Sequence, residues 1–223
     1  MTAISKLTFA YLNDLKENNN REWFNANKER YETAKKEFED FVDQLIRGIA
    51  TFDSSIAHFT ARDCIFRIYR DVRFSKDKSP YKTHFGAHIT SAPKKSEIHS
   101  RAGYYIQISP GDTFLGGGAY LPQSDWLQDI RQEISYHGDE FRAILNDPDF
   151  KKYFGEMEGE KLSKVPRGYD PAHPEIEFIK HKSFLGMSKC EDKLVTSASF
   201  PDHCTKAFRA LYPFDQFLNR AMD

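Results

Sequence analysis

Cysteine is scarce in this chain. Cys64, Cys190 and Cys204 are three in 223 residues, widely spaced and never in a C-x-x-C pair, so neither a disulfide framework nor a zinc knuckle is expected. The thiols are expected to be reduced and structural. Long apolar runs are also missing: nothing approaches the roughly 20 residues of a membrane span. The opening MTAISKLTFAYLNDLKENNN is broken by charge every few residues, unlike a signal peptide, so a cytoplasmic location is expected. Charge of one sign is not in excess either. The 32 Lys and Arg residues against 33 Asp and Glu residues give a formal net charge of -1, which makes broad coating of nucleic acid an unexpected role. No repeat, low-complexity tract or linker divides the chain, so residues 1–223 read as one domain. There is no Walker loop and no G-x-G-x-x-G fingerprint. No cofactor is expected.

Aromatic residues are plentiful, at 14% of the chain with 19 phenylalanines, and they supply the filler for a sizeable core. Phe9, Leu12 and Leu15 recur at helical spacing after Ser5. Asn19 can cap a second helix, with Glu22 in capping-box position. From 21 to about 49, Phe24, Tyr31, Phe38 and Leu45 stand seven apart, with Ala34 and Phe41 in the adjacent row, which predicts one long amphipathic helix. The period then changes to two over 64–74, 85–90, 104–109 and 113–115, predicting strands. Their short connections favour hairpins and an antiparallel sheet. Ser124 reads as the cap of a further helix, and Asp139 and Asp147-Pro148 as two more helix starts. A last strand is expected over 184–190 and a closing helix over 200–221, broken at Pro213. The fold class is α+β: a largely antiparallel sheet covered by the long N-terminal helix and by C-terminal helices.

The stretch FRIYRDVRFSKDKSPYKTHFGAHI, residues 66–89, concentrates cations, acids and aromatics. If 66–74 is a strand, Phe66, Ile68, Arg70, Val72 and Phe74 share one face. Arg70 on that apolar face needs an anionic partner from elsewhere, because Asp71 points the other way. On the opposite face Arg67 and Arg73 flank Asp71, either to hold a phosphate or carboxylate or to form a surface ion-pair ladder. Ser79-Pro80 reads as a helix N-cap with a first-turn proline, whose N–H groups would face an anion near Lys76, Lys78 and Lys82. The same four residues match S-x-x-K, but no S-D-N or K-T-G partner occurs. His84 and His88 alternate with strand residues and stand too far apart to share a metal ion, so no metal site is expected. Gly116, Gly117 and Gly118 permit a bend or a close backbone approach. Arg167 opens a polar, proline-punctuated loop.

The phrases NNNREWFNANKERYE, RIYRDVRFSKDKSPYKTHFGAHI, GYYIQISPGDTFLGGGAYLP and PRGYDPAHPEIEFIKHKSF together resemble the family known as domain of unknown function 2461. The resemblance runs over nearly the whole chain. It implies a single-domain, cytosolic microbial protein and brings no catalytic residues with it.

On the residues themselves, the leading expectation is a site for a small anionic ligand bearing phosphate or carboxylate. Arg67, Arg70 and Arg73 would clamp it, Lys76 and Lys82 would add charge, and backbone N–H groups at Ser79 or near Gly117 would meet its oxygens, with Arg167 joining if the segments converge. Should chemistry occur, Asp71, Tyr81 and His84 are the candidate acids or bases. Two alternatives stand beside it. One is an interaction protein whose basic face docks an acidic partner or a nucleic-acid backbone. The other is a purely structural role, with the cations paired to Asp63, Asp71, Asp77 and the acidic helices, leaving no site.

Overall fold

Ser5 opens the first helix as its composition suggests. In the computed structural model, which describes residues 3–92, 97 and 99–222, the Ser5 hydroxyl accepts the Thr8 N–H at 3.2 Å and starts α1 (Lys6–Glu17), which buries Phe9, Tyr11, Leu12 and Leu15. The next cap is Asn20 rather than Asn19: its side chain accepts the Trp23 N–H at 2.9 Å. The long helix expected over 21–49 is two helices, α2 (Arg21–Ala26) and α3 (Lys28–Ile49). Asn27 separates them because its own side chain donates to the Trp23 carbonyl at 2.9 Å, competing with the helical ladder. α3 buries Ala34, Phe38, Phe41, Val42, Leu45, Ile46 and Ile49, the stripe that the spacing predicts. Phe38 stacks on Phe85 at 5.4 Å and Phe41 on Phe200 at 5.5 Å. Each such ring, wholly removed from water, contributes about 1.5–3 kcal/mol.

The sheet is antiparallel and four-stranded, in the order β1-β2-β3-β4. Its strands are β1 (Phe85–Ile89), β2 (Gly103–Ile108), β3 (Thr113–Ala119) and β4 (Phe184–Cys190). Phe85, Ala87, Ile89, Tyr104, Ile106, Ile108 and Leu115 are buried, so the inward face follows the period of two. The α+β class is therefore the observed one.

The run 64–74 is not a continuous strand. Its first residue closes the short helix α4 (Ala61–Cys64), held by a capping box between Thr60 and Asp63. The run beyond touches its neighbour only through the bridges Ile65 to Ala87 and Tyr69 to Tyr81. Pro80 has no N–H to give to a ladder, and Asp71 accepts the Arg73 N–H at 3.2 Å, which turns the chain locally. The alternation nevertheless holds from Arg67 to Tyr69, with Ile68 buried between two exposed side chains. It fails at Phe74, which is 96% exposed where an inward ring is expected. The glycine run belongs to β3 and makes no loop.

Two compact units make up the chain, and three of the strands pass from one to the other by residue number. The first comprises Met1–Ile89, Tyr105–Leu115 and Lys189–Thr205; the second comprises Thr90–Tyr104, Gly116–Ser188 and Lys206–Asp223. In the second lie α5 (Ser124–Tyr136), α6 (Gly138–Asn146), α7 (Pro148–Phe154) and α8 (Ile176–Ile179). Gln123, not Ser124, occupies the cap position of α5, and it makes no capping bond. Gly138 starts α6. Asp147 caps α7 as expected, accepting the N–H groups of Asp149 and Phe150.

After α9 (Asp192–Val195), α10 (Phe200–Arg220) runs unbroken through Pro213. A proline inside a helix costs about 3 kcal/mol. Around it Leu211, Phe214, Phe217 and Leu218 are at most 1% exposed, and four large apolar side chains outweigh that loss. Among the described residues no helix is long and apolar enough to cross a membrane.

Candidate functional site

Asn19 does in space what its sequence position conceals. Its amide Nδ2–H donates to the Tyr81 carbonyl at 2.9 Å, and its Oδ1 accepts the Tyr81 N–H at 3.1 Å. One side chain thus satisfies both backbone groups of a residue 62 positions away. Phe24 from α2 stacks on the Tyr81 ring at 4.0 Å. The turn between α1 and α2 is thereby fixed to 79–84, and a cleft of about 310 Å³ opens between them.

Arg70 lines this cleft, and its guanidinium finds its anionic partner in Asp77 while also donating to the Ser79 carbonyl at 3.2 Å. Asp77 Oδ1 in turn accepts the Ser79 hydroxyl at 2.6 Å and the Ser79 N–H at 2.9 Å. The Ser79 hydroxyl first, then its N–H and then Arg70, hold the Asp77 carboxyl down at about 2. No helix begins at Ser79, because the chain beyond it is extended, Tyr81 bridging to Tyr69 and the Lys82 N–H donating to the Ile68 carbonyl at 2.7 Å; the expected anion-binding helix end is absent. The Ser79 hydroxyl is committed to the Asp77 carboxylate, which leaves the S-x-x-K match without a mechanism.

Lys82, Thr83 and His84 complete the wall on this side, and Lys16 from the end of α1 faces them. Burial first, then the charge of Lys82, lowers the His84 pKa, so its imidazole is neutral at pH 7. Among the described residues no hydrogen bond occupies the His84 ring nitrogens or the Thr83 hydroxyl, and Lys16 has no ion pair. The cleft therefore carries three cationic side chains against the one carboxylate of Asp77, with neutral donors beside them.

Several expected residues lie elsewhere. Arg73 grips Asp71 through Nε at 3.0 Å and Nη2 at 2.6 Å, an exposed pair that follows the structural alternative. The Arg73 bonds hold the Asp71 carboxyl at about 2, so it takes up no proton near neutral pH and is a poor general base. Arg67 and Lys76 are exposed and do not line the cleft. Tyr81 does line it, but burial raises its hydroxyl above the ordinary tyrosine value, away from acid–base work at neutral pH.

Gly117 and Arg167 belong to the second unit and are not among the lining residues. A side chain at Gly117 would meet Leu211 at 2.3 Å and the Gly103 carbonyl at 2.5 Å, so the absence of one permits close packing there. Arg167 is exposed in a turn. Among the described residues, no group of three or more His, Cys, Asp or Glu side chains is placed to hold a metal ion.

Lys16, Asn19 and Thr83 are the cleft residues that sequence reasoning misses; the pairing of Arg70 with Asp77 follows the structural alternative. Asn19→Ala is expected to lower stability by about 2 kcal/mol, because two hydrogen bonds go and the Tyr81 backbone groups lose their partners. Denaturant unfolding checks this, and Asn19→Asp, which keeps only the acceptor, should lose less.

The profile of the family described as "Conserved hypothetical protein (DUF2461)" matches residues 7–217. No curated protein and no solved structure matches the chain.

Proposed function

The chain belongs to the DUF2461 family, and since that membership brings no activity with it, we propose from the cleft that the protein binds a small anionic ligand bearing phosphate or carboxylate. The observation that carries this is the convergence of Lys16, Arg70 and Lys82, from three places in the sequence, on one cleft with a single carboxylate. Arg70 is held in place by Asp77 and Ser79, so it meets a ligand with little loss of side-chain freedom. Thr83 and the neutral His84 add donors for the remaining oxygens. We read residues 1–223 as one family domain. The cytoplasm is the location we propose, since the three cysteines are buried and not disulfide-bonded, as suits a reducing compartment.

Calorimetric titration with inorganic phosphate, pyrophosphate and citrate tests the reading. One-to-one binding with a shallow salt dependence is expected; no heat with any of the three would refute it. A second reading has its own support: Phe74 is 96% exposed beside Arg73, Lys76 and Lys78, a surface suited to an acidic macromolecule. Binding to an oligonucleotide that collapses between about 50 and 200 mM salt would favour that reading.

The low His84 pKa gives the site a pH signature. Because the folded protein takes up this proton less readily than the unfolded chain, stability is full above about pH 6.5 and falls as the pH drops through the folded-state value. A bound anion favours the protonated ring, so sulfate, dianionic throughout, should bind more tightly as the pH falls from about 7 to 5. His84→Gln should flatten both profiles.

A further inference from the structure

We infer that the ligand of the cleft carries an aromatic ring beside its anionic group, as a nucleoside monophosphate does, and that the ring lies on the outer face of the sheet over Phe66, Tyr105 and Phe114. The inference rests on the cleft being an anion site. It starts from a row of side chains across neighbouring strands. The Phe66 N–H donates to the Gly86 carbonyl at 2.9 Å, which sets Phe66 beside β1. The Phe66 ring then lies 6.4 Å from that of Tyr105 on β2, which lies 5.5 Å from that of Phe114 on β3. All three rings are only partly covered, unlike Phe85, Tyr104, Ile106 and Leu115 of the inward face, which are buried. Gly86 stands in the same row, and a side chain there would come within 3.1 Å of the Tyr105 hydroxyl and 3.5 Å of Phe66. Its absence lets the Tyr105 hydroxyl and the Phe66 ring close over the strand at that point.

This aromatic row is continuous with the cleft. Lys82, which lines the cleft, places its ammonium 5.2 Å from the centre of the Phe66 ring. On the other side His84 feels the charges of both Lys82 and Asp112, and the Asp112 carbonyl accepts from the Gln107 amide at 3.3 Å. Gln107 leads back to Tyr105, whose hydroxyl donates to it at 3.4 Å. These last two bonds are long, so the Gln107 amide and the Tyr105 hydroxyl can exchange them for the polar edge of a heterocycle at small loss. A flat ring resting on the row would put its attached phosphate toward Lys82 and the cleft, where three cations suit a dianion. Stacking on aromatic side chains favours any base, since each has a π face.

The test compares AMP with ribose 5-phosphate, which offers the same phosphate without the base, and with pyrophosphate. AMP is expected to bind the full-length protein at least about tenfold more tightly than ribose 5-phosphate. Tyr105→Leu and Phe114→Leu, checked for unchanged unfolding temperature, are expected to remove that advantage. Ring-proton resonances of Phe66, Tyr105 and Phe114 should shift with AMP and stay in place with ribose 5-phosphate, a readout that needs no variant. Equal affinity for the two, with pyrophosphate still bound, would overturn this inference and leave the anion site standing. Failure of all three ligands to bind would overturn both.

Discussion

Gly118→Ala is expected to destabilise the protein by about 3 kcal/mol or more, the largest single-residue effect on stability foreseen here. Two causes act together. Gly118 has φ +108, a conformation that side-chain-bearing residues rarely adopt, at a strain of about 1–3 kcal/mol. A Cβ there would also fall 2.1 Å from the Phe184 carbonyl oxygen and 2.9 Å from the Phe214 ring. The ring can turn aside, but the carbonyl belongs to the backbone of β4. Gly111 provides the control: its φ is +75 but nothing lies within 4 Å of the added carbon, so Gly111→Ala should lose only the strain, about 1 kcal/mol. Denaturant unfolding of the two variants separates strain from collision. A loss at Gly118 no greater than that at Gly111 would contradict the packing described for β3.

Lys16→Ala combined with Lys82→Ala is expected to weaken phosphate binding at least about a hundredfold. A hydrogen bond to a charged group contributes about 1.5–3 kcal/mol, and two of them at the lower figure already exceed a factor of a hundred. Arg70 would remain, paired with Asp77, so the cleft of the double variant would hold one cation against one carboxylate and lose its positive excess. Stability should fall only modestly, since Lys16 is exposed and surface charges contribute little to folding, while the half-buried Lys82 loses its place against the Phe66 ring, a contact of about 0.5–1 kcal/mol. Calorimetric titration checks the affinity and thermal unfolding checks the fold. Unchanged phosphate affinity would mean that these ammonium groups do not meet the anion.

Periodicity made the core legible. The rows of Phe38, Phe41 and Leu45 in α3 and of Phe85, Ala87 and Ile89 in β1 repeat at 3.6 and 2 residues, and burial follows such repeats closely. What failed were positions where a side chain hydrogen-bonds its own backbone. Asn27 divides a helix that apolar spacing alone would run through, and Asp77 takes both the N–H of Ser79 and the hydroxyl that a Ser-Pro pair advertises as a cap. Pro213 shows the converse, a breaker overruled by tertiary burial. Arg70 was the most informative residue of the site: a cation among apolar neighbours requires a partner, and Asp77 supplies it. Arg67 and Arg73 looked equivalent to it by composition, yet only the fold distinguishes a side chain that faces a cleft from one that faces water. Asn19 reads locally as a helix cap, but its role depends on a contact with Tyr81 across 62 residues, and no window of sequence spans that; Lys16, on the exposed face of α1, meets the cleft only through the fold.

An amide chemical-shift titration of the isotope-labelled protein with inorganic phosphate tests the central claim most directly, because it reports both binding and place. Saturable shifts should concentrate at Lys16, Asn19, Arg70 and the run from Asp77 to His84, and should vanish in the Lys16→Ala and Lys82→Ala double variant. Saturable shifts confined to residues outside that cleft, or no saturable shift at all, would contradict it.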